Sequence, residues 1–315
     1  MGATAKNLHV DKVLTQMAMG YRPSGFIADT IFPKVRVDKQ SDIYLEFDRG
    51  RRLRRQETRR SPGTEAHLVN QDFGSATYHC HNYALKAAVT IEDKANADPM
   101  FVRELINGRV ELILDDLMLD KEMRVAGIVN NVTNVGSSSA VSSAWGGAGH
   151  VLVDINAAID AVRYSNGIKP NICIMGPEAW DSARRDTTVR DLIYGNGNGG
   201  GYVSEKAFAD LLGLDNFQVA GSFKNTGDAG QGEVLATVWG DNVFVGYNAP
   251  SPTRERPSYG YEFRWVNNGL ADMAVERHPY DTRKKSEEVE VGYYSDEKIT
   301  GKSYGYLITS VNSST

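Results

Sequence analysis

A single uninterrupted helical pattern, from Asp98 to Asn130, constrains the fold of this chain more than any other feature of its sequence. Asp98 can cap the first free backbone N–H groups, and Pro99 suits the first helical position because its missing N–H would have no partner there. Apolar residues recur at steps of three and four, which places the following set on one face of a helix: Val102, Leu105, Ile106, Val110, Leu112, Ile113 and Leu117. At about 1.5 Å per residue, this helix would be roughly 50 Å long.

An acidic stripe follows the opposite face of the same predicted helix. Its members, at helical spacing, are Glu104, Glu111, Asp115 and Glu122. A stripe of this kind is explained more simply as a solvated or interfacial surface than as an acid–base site. The pattern therefore predicts a helix with one face toward a core and the other toward solvent or a partner.

Composition and charge limit the class of protein. The chain has 315 residues, 41% of them hydrophobic, so it can bury a sizeable core, and its length suggests about two domains. A net charge of -5 argues against a dedicated nucleic-acid binder, because such proteins neutralise phosphates with excess Lys and Arg. Cys80 and Cys173 have no paired spacing, which predicts neither a disulfide framework nor a cysteine metal site. We also expect no signal peptide and no membrane span.

The first 90 residues predict an arm and a protruding loop. Glycines and prolines among short apolar groups in residues 1–40 favour an extended arm over a packed domain. Apolar residues alternate from Ile43 to Phe47 and again at Tyr83 and Leu85, which predicts two strands that enclose a long loop. Residues 49–60, called here the arginine run, contain seven arginines, too much like charge for the segment to fold back on itself. We therefore expect the loop to need an outside partner.

The arginine run has two interpretations, which its spacing does not separate. Its guanidinium groups could bind the phosphates of a nucleic acid, although the run lacks aromatic residues that would stack on bases. They could equally bind carboxylates of a neighbouring protein. A charge run specifies a sign and not a partner, so both interpretations stay open at this point.

The remainder of the chain predicts an α+β region inserted before a strand-rich tail. Residues 136–149 are rich in Ser and Gly and predict a loosely structured connection. The elements expected after it are a helix capped by Asp154 and ended by Gly167, a buried strand Ile172–Met175, helices Pro177–Arg185 and Ser204–Leu212, a strand–turn–strand unit Val234–Val238 and Val243–Tyr247, and strands Glu288–Tyr294 and Tyr304–Val311. A tail of strands with no helix of its own needs an apolar face to cover, and the long helix offers one.

Three motifs that could indicate a metal, dinucleotide or phosphate site lack the sequence context that would confirm them. His79 and His81 would share one side of a strand, but no third histidine lies within zinc-motif spacing. Residues 195–200 match GxGxxG after a predicted helix instead of a strand, which favours a flexible loop over a dinucleotide site. Residues 301–303 resemble the end of a phosphate-binding loop, but Asp296 stands where that loop requires a glycine. We therefore expect no catalytic residues, no cofactor and no metal.

The order of these parts resembles the major capsid proteins of tailed double-stranded DNA bacteriophages, which have the Hong Kong 97-like capsid fold. Phe26-Ile-Ala-Asp-Thr-Ile-Phe-Pro-Lys-Val-Arg-Val is similar to the N-terminal arm of that family. Residues 41–90, with Arg60-Ser-Pro-Gly-Thr-Glu-Ala at the return, look like its extended loop. Residues 98–130 look like its spine helix, and Val289-Glu-Val-Gly-Tyr-Tyr-Ser-Asp-Glu-Lys-Ile and Tyr304-Gly-Tyr-Leu-Ile-Thr look like closing strands of its peripheral domain.

The resemblance implies a specific architecture of the α+β class. It implies an N-terminal arm at 1–40, an extended β-hairpin loop at 41–90, and a peripheral domain with the spine helix at 91–150. An inserted α+β axial domain would occupy 151–249, and the peripheral domain would return as strands at 250–315. The function implied is assembly into the icosahedral shell that encloses a phage genome, without enzymatic activity.

The resemblance also implies partners and a location. The chain would bind itself in hexamers and pentamers, a portal, possible decoration proteins on the outside, and packaged DNA on the inner face without sequence specificity. Because the chain enters the arm almost at Met1, a separate scaffolding protein is implied. The protein would reside in the host bacterial cytoplasm during assembly and then in the virion capsid. No lysine occurs between Lys39 and Lys86, so a lysine crosslink from the loop is not expected.

On the resemblance, an inter-subunit contact is expected between the arginine run and the acidic stripe. The residues proposed for it are Arg51, Arg52, Arg54 and Arg55 in one subunit and Glu104, Glu111, Asp115 and Glu122 in the next. The alternatives are a nucleic-acid-binding protein that uses residues 49–60, and an enzyme whose site has no motif in this sequence.

Overall fold

A computed structural model of the chain describes residues 9–21, 25–46, 55, 58–66, 74–97, 102–146, 150–195, 201–228, 230–253, 256–266 and 272–312. Helices within these ranges are α1 (Lys12–Gly20), α2 (Ala28–Ile31), α3 (Ile91–Asn96), α4 (Val102–Val129), α5 (Val151–Asn166), α6 (Pro177–Ala183), α7 (Thr187–Tyr194) and α8 (Glu205–Leu212). Strands are β1 (His9–Val10), β2 (Lys34–Val37), β3 (Ser41–Glu46), β4 (Gly74–His79), β5 (His81–Thr90), β6 (Ser137–Ala140), β7 (Ile172–Met175), β8 (Asn216–Val219), β9 (Phe223–Asn225), β10 (Leu235–Thr237), β11 (Val243–Gly246), β12 (Gly260–Trp265), β13 (Ala274–Arg277), β14 (Ser286–Ile299) and β15 (Gly305–Thr309).

Two mixed sheets and two separate hairpins organise these strands. One sheet has the order β1-β13-β14-β12-β2, and β5 pairs with β14 along the register Ser286↔Thr90 to Ser295↔His81. The second sheet has the order β6-β15-β11-β7-β8. The hairpins β3–β4 and β9–β10 form separate two-stranded sheets, and Tyr44 and Tyr78 of the first hairpin pack against Phe263 of β12.

The long predicted helix is present as α4, 28 residues in length, or about 42 Å. It packs against the first sheet, where Val110, Leu114 and Leu117 share a buried core with Val291 and Tyr293. This contact is the one expected between the long helix and the strand-rich tail. No helix in the described part of the chain is long and apolar enough to cross a bilayer.

One residue that was predicted to lie on the apolar face of the long helix does not lie in the core. Leu112 is 55% exposed, whereas Leu114 and Met118, which the pattern left out, are buried. Successive helical residues differ by about 100° around the axis, so in a run of three apolar residues only some can reach the core. Asp98 and Pro99, the expected start of the helix, lie outside the described residues, as does the side chain of Val102.

The arm is not extended over the part that the structure describes. Helix α1 packs on α4 and the first sheet through Leu14 and Ala18, β1 pairs with β13, and β2 pairs in parallel with β12. Gly25 also lies against Gly221, whose N–H donates to the Gly25 carbonyl at 3.0 Å. Gly25 has φ +88, and a Cβ there would lie 3.0 Å from Gly221 Cα, so glycine is required. The sequence predicted an extended arm, whereas the apolar side chains of these residues lie in cores formed with the rest of the same chain.

The protruding loop has a different return strand from the one expected. β3 pairs with β4 in antiparallel register from Ser41↔His79 to Glu46↔Gly74, so the hairpin closes before Cys80. Tyr83 and Leu85 lie instead on β5, in the first sheet. Alternation alone identifies a strand and does not identify its partner, which explains the error.

The middle region confirms most of the expected elements and corrects three. β7 is fully buried, and Gly167 ends α5 in the left-handed conformation at φ 68. Asp154 does not cap α5; it accepts a hydrogen bond from the Trp145 indole at 2.9 Å. β10 pairs with β9 and not with β11, and part of the Ser/Gly-rich connection forms β6 beside β15. A short strand in a polar connection has no periodic signal, because its ladder depends on a distant partner.

The last strand belongs to the second sheet. β15 lies between β6 and β11, while β14 lies in the first sheet, so the two closing strands separate. The core on one side of the second sheet contains Val243 and Ile308 with the helices α5 to α8, and the other side contains Phe244 and Leu307 with the end of α4. The long helix therefore touches both sheets and joins them into one structure.

Candidate functional site

The exposed face of α4 carries three of the four predicted acidic residues. Glu104, Glu111 and Asp115 are exposed, and Asp115 accepts a hydrogen bond from the Tyr21 hydroxyl at 2.6 Å. That hydrogen bond, with burial and the negative charge of Asp115, raises the pKa of Tyr21 to about 12. The three carboxylates form a surface, called here the acidic stripe, that is open to another molecule.

Glu122 does not belong to the acidic stripe, which corrects the prediction. Its side chain is buried, and its carboxylate accepts hydrogen bonds from the backbone N–H groups of Ile27 at 3.1 Å and Ala28 at 2.9 Å. The Trp239 indole donates a third at 2.7 Å. Helix α2 has no cap from its own side chains, and the Glu122 carboxyl group accepts hydrogen bonds from N–H groups at its amino terminus. Glu122 therefore fastens the arm of its own chain and has no surface left for a second subunit.

Burial opposes ionisation of the Glu122 carboxyl group. Removal from water raises its pKa above the usual value, against the lowering effect of the Trp239 and backbone hydrogen bonds. The carboxylate position is thus held by three N–H donors in a site that disfavours its charge.

A buried ionic cluster lies next to Glu122 on α4. Lys121 is 1% exposed, and its ammonium contacts Asp29 of α2 and Glu262 Oε2 of β12, the latter at 2.6 Å. Arg264 Nε donates to Glu262 Oε1 at 3.0 Å, and Lys34 contacts Asp29 at 2.9 Å. The cluster joins arm, helix and sheet through alternating charges, so each charge has an opposite neighbour.

The carboxylates of the cluster are held ionised. Burial raises the pKa of Glu262, but the charges of Arg264 and Lys121 outweigh it, so its pKa lies below the usual value. Burial has the same raising effect at Asp29, and Lys121 and Lys34 again lower the pKa well below its usual range. The cluster is therefore a structural clamp whose charges persist at neutral pH.

A second, partly buried contact connects α4 to the first sheet. The Arg124 guanidinium lies 3.7 Å from the centroid of the Tyr83 ring and donates to Glu297 at 3.2 Å and to the Tyr293 hydroxyl at 3.3 Å. It also pairs with Asp120, one turn earlier on the helix. Cation–π and carboxylate contacts together fix the orientation of the helix on the sheet.

The sequence analysis did not predict the ionic cluster around Lys121, although one feature of the sequence indicated it. Lys121 follows Leu117 by four residues and precedes Val125 by four, so it occupies the buried line of the helix. A charged residue on that line requires a buried partner of opposite charge. Its partners Asp29 and Glu262 are 92 and 141 residues away in sequence, and no local pattern identifies them.

Only part of the arginine run is described. Arg55, Arg59 and Arg60 are exposed, whereas Arg51, Arg52 and Arg54 lie outside the described residues. Within one chain, no salt bridge joins Arg55 or Arg60 to Glu104, Glu111 or Asp115, all of which are described. The pairing expected between these residues concerns two subunits and stays a prediction.

The motifs considered for chemistry lie on the surface or in turns. His79 and His81 are exposed with ring centroids 5.0 Å apart, and within the described ranges no group of three His, Cys, Asp or Glu side chains could hold a metal ion. Gly195 ends α7, and residues 196–200 lie outside the described ranges. Gly301 precedes a 3-10 turn of three residues, not an α-helix. Cys80 and Cys173 are buried free thiols, whose pKa burial raises to about 12.

Sequence comparisons connect the chain to phage proteins along nearly all of its length. It is 26% identical over 310 residues to a major capsid protein of Pseudomonas phage JBD67, covering 95% of this chain and 96% of that protein. It is 24% identical over 324 residues to a major capsid protein of Burkholderia phage BcepMu, covering 99% of this chain and 100% of that protein. No protein-family model matches the chain.

Structure comparisons give the same fold. A phage-related protein of Bordetella bronchiseptica has a TM-score of 0.74 at 22% identity, covering 97% of this chain and 98% of that one. The capsid of cyanophage P-SCSP1u has a TM-score of 0.58 at 11% identity, with 99% and 93% covered. The mature capsid of bacteriophage PhiM1 has a TM-score of 0.51 at 12% identity, with 92% and 88% covered. The chain therefore has the α+β fold of phage capsid proteins, which confirms the fold implied by the resemblance.

Proposed function

We propose that this chain is a major capsid protein, many copies of which form the icosahedral shell of a tailed-phage head. The observation that carries the proposal is the end-to-end sequence match to the major capsid proteins of Pseudomonas phage JBD67 and Burkholderia phage BcepMu. A match over 95% of this chain or more covers both sheets, both hairpins and the long helix, and not a single shared module. The role proposed is structural and not enzymatic.

The surfaces of one subunit fit this role. The hairpin β3–β4 forms a two-stranded sheet of its own and leaves Ile43 58% exposed, and the arginine run lies between its two strands in the sequence. The acidic stripe lies on a different element, the outer face of α4. Two different surfaces on one chain favour heterologous contacts, which close into rings when the rotation permits. Hexamers and pentamers of the chain are the rings we propose.

The pairing of the arginine run with the acidic stripe is part of this proposal, in a reduced form. Arg51, Arg52, Arg54 and Arg55 of one subunit would bind Glu104, Glu111 and Asp115 of the next, without the buried Glu122. Guanidinium forks bind carboxylates in a two-bonded geometry, and each exposed pair contributes about 0 to 1 kcal/mol. Several such pairs at every interface of a shell would together stabilise the contact between subunits enough to decide whether the shell forms.

The division of the chain follows the same proposal. Residues 1–40 would be the arm, 41–90 the extended loop, 91–150 the spine-helix part of a peripheral domain, 151–249 an axial domain, and 250–315 the returning strands. The separation of β14 and β15 into different sheets means that the last strand would complete the axial sheet.

The remaining partners follow from the role of a shell protein. We propose a separate scaffolding protein, a portal, possible decoration proteins and packaged DNA held on the inner face without sequence specificity. Assembly would take place in the host bacterial cytoplasm, without a membrane partner, and the final location would be the virion capsid.

The experiment that tests the proposal is negative-stain microscopy of the expressed protein, with sedimentation velocity over a range of concentrations. Closed shells, or rings of five and six subunits, are the expected result. A compact monomer at every concentration, also in the presence of a scaffolding protein, would overturn it. Tight, salt-dependent DNA binding by such a monomer would instead support the nucleic-acid-binding alternative.

A further inference from the structure

Tyr21 of the arm lies beside the acidic stripe of α4. Its hydroxyl donates to Asp115 Oδ1 at 2.6 Å, across 94 residues of chain. This hydrogen bond, then burial, then the charges of Asp115 and Glu111 raise the pKa of Tyr21 to about 12. The phenol group is therefore close to two of the three carboxylates of the stripe, and it is tied to one of them.

Helix α1 holds Tyr21 in this position. Asp11 caps the start of the helix with its carboxylate, and its backbone N–H donates to the Val275 carbonyl of β13 at 3.1 Å. At the end of the helix, the Tyr21 N–H donates to the Ala18 carbonyl at 3.3 Å, and the Tyr21 ring packs against the core that α1 shares with α4 and the first sheet. Because both ends of α1 are fastened, the hydroxyl reaches Asp115 from a fixed direction.

The contact with Tyr21 leaves Asp115 able to bind a cation. A carboxylate has two oxygens with about four acceptor positions, and the hydroxyl occupies one of them on Oδ1. No described residue of the same chain forms a salt bridge with Asp115. Arg109 is exposed on the same helix but lies about 120° from Asp115 around the helix axis. The remaining acceptor positions of Asp115 are therefore available to a cation from outside the described residues.

A carboxylate held in one orientation suits a guanidinium fork. The two parallel N–H···O bonds of that pairing require both oxygens to face the guanidinium group in its plane. A side chain that rotates freely loses that freedom on binding, which weakens the contact. The hydrogen bond from Tyr21 restricts the rotation of Asp115 before any partner arrives, so less freedom is lost when a guanidinium group binds.

We propose that Tyr21 is a positioning residue for the contact between the acidic stripe and the arginine run of a neighbouring subunit, because it holds Asp115 in the orientation that a guanidinium group binds. The inference rests on the proposed function and its arginine contact, and it adds a residue of the arm to them. It also makes that contact depend on the arm, since only a subunit whose α1 is docked on α4 presents an oriented Asp115.

Removal of one hydroxyl group tests this role. Tyr21→Phe keeps the ring in its core and leaves Asp115 free to rotate, so the concentration for half-maximal assembly should rise about fivefold, equivalent to about 1 kcal/mol. Tyr164→Phe is the matched control, since Tyr164 is 81% exposed on α5 and the same group is removed from a different helix; assembly should not change. Circular dichroism and urea unfolding of unassembled subunits should show both variants folded.

Two further variants separate the positioning of Asp115 from a general effect on the arm. Asp115→Asn keeps the size of the side chain and removes its charge, so it should weaken assembly, and adding Tyr21→Phe to it should weaken assembly no further. Lysine in place of Arg51, Arg52, Arg54 and Arg55 replaces the planar fork with ammonium groups, which need no such alignment, so the effect of Tyr21→Phe should disappear in that background too. A merely structural role of Tyr21 would persist in both backgrounds.

Each result bears on a different part of the inference. If Tyr21→Phe assembles like the natural protein, or if its effect is equally large in the two backgrounds, Tyr21 is not a positioning residue and the capsid function stands. If Tyr21→Phe weakens assembly but Asp115→Asn does not, the arginine contact at Asp115 is wrong, and the positioning role is wrong with it. If the natural protein forms no ring or shell, the proposed function itself fails.

Discussion

The Trp239 indole donates a hydrogen bond of 2.7 Å to Glu122 across 117 residues of chain. Trp239 lies between β10 and β11, and Glu122 lies on α4, so this bond joins the middle region to the long helix. The same carboxylate holds the backbone of Ile27 and Ala28. One buried side chain therefore fixes three parts of the chain relative to each other, and a shell subunit needs that rigidity to present its surfaces at constant angles.

Removal of the Glu122 carboxylate should destabilise the subunit. Glu122→Ala leaves three buried N–H groups without acceptors, and we expect a loss of about 3 kcal/mol in the free energy of unfolding. Glu122→Gln keeps one acceptor oxygen and should cost about 1 kcal/mol. Urea unfolding of unassembled subunits measures both. Glu111→Ala, at an exposed position of the same helix, should stay within about 0.5 kcal/mol; an equal loss there would contradict the assignment.

Lys121 should matter far more than a surface lysine. Lys121→Ala leaves Glu262 buried with one cation fewer, and breaking a buried pair costs about 3–5 kcal/mol. The matched control is Lys86→Ala, since Lys86 pairs with Glu288 at 2.8 Å on the surface, where such a pair contributes about 0–1 kcal/mol. Chemical unfolding of both variants gives the comparison. Similar losses in the two variants would show that the ionic cluster does not hold the arm.

The cluster also predicts the direction of a pH effect. The pKa of Asp29 is lowered in the folded protein, so its stabilising contribution is present above its usual value of 3.8 and is lost as pH falls below it. The difference in unfolding free energy between the natural protein and Asp29→Asn should therefore be largest above about pH 5 and shrink toward pH 2. Glu122, whose pKa is raised, acts in the opposite direction and is common to both proteins. A difference that is constant between pH 5 and pH 2 would exclude the ion pairs as its source.

Elements with a local cause were predictable from the sequence, and contacts between distant segments were not. The 3.6-residue period predicts α4, and Gly167 marks the end of α5 because a left-handed residue is needed there. The predicted partner strand of β3 was wrong because alternation of apolar residues does not specify which strand pairs with it or in which register. Of the four acidic residues predicted to lie on the exposed face of the helix, Glu104, Glu111 and Asp115 are exposed. Glu122 is buried because it contacts the arm, 95 residues earlier in the sequence.

The shells should contain no lysine crosslink from the extended loop. No lysine occurs between Lys39 and Lys86, so that segment offers no amine to form an amide bond with a neighbour. Boiled particles on a denaturing gel should run as a single band near 34.6 kDa, the mass of one chain. A ladder of covalent multimers would show that another lysine supplies the bond, and peptide mass spectrometry would identify it.

The last prediction concerns the contact between the arginine run and the three exposed carboxylates of the acidic stripe. Lysine in place of Arg51, Arg52, Arg54 and Arg55 keeps the charge but removes the two-bonded fork, so assembly should weaken. Glutamate at the same four positions reverses the charge opposite the acidic stripe, so assembly should fail while the subunits stay folded. Single substitutions should have little effect, because one exposed pair contributes about 0 to 1 kcal/mol.

The acidic side of this contact supplies the matched test. Glu104, Glu111 and Asp115 changed together to lysine should prevent assembly, and combining that change with the four glutamates should restore it in part, since the signs again oppose. Light scattering follows the kinetics, and microscopy identifies the product. The effect should diminish as salt rises, because exposed charges are screened within about 8 Å at physiological ionic strength. Normal shells from the four-glutamate variant in ordinary salt would show that the charge of the run does not hold neighbouring subunits together.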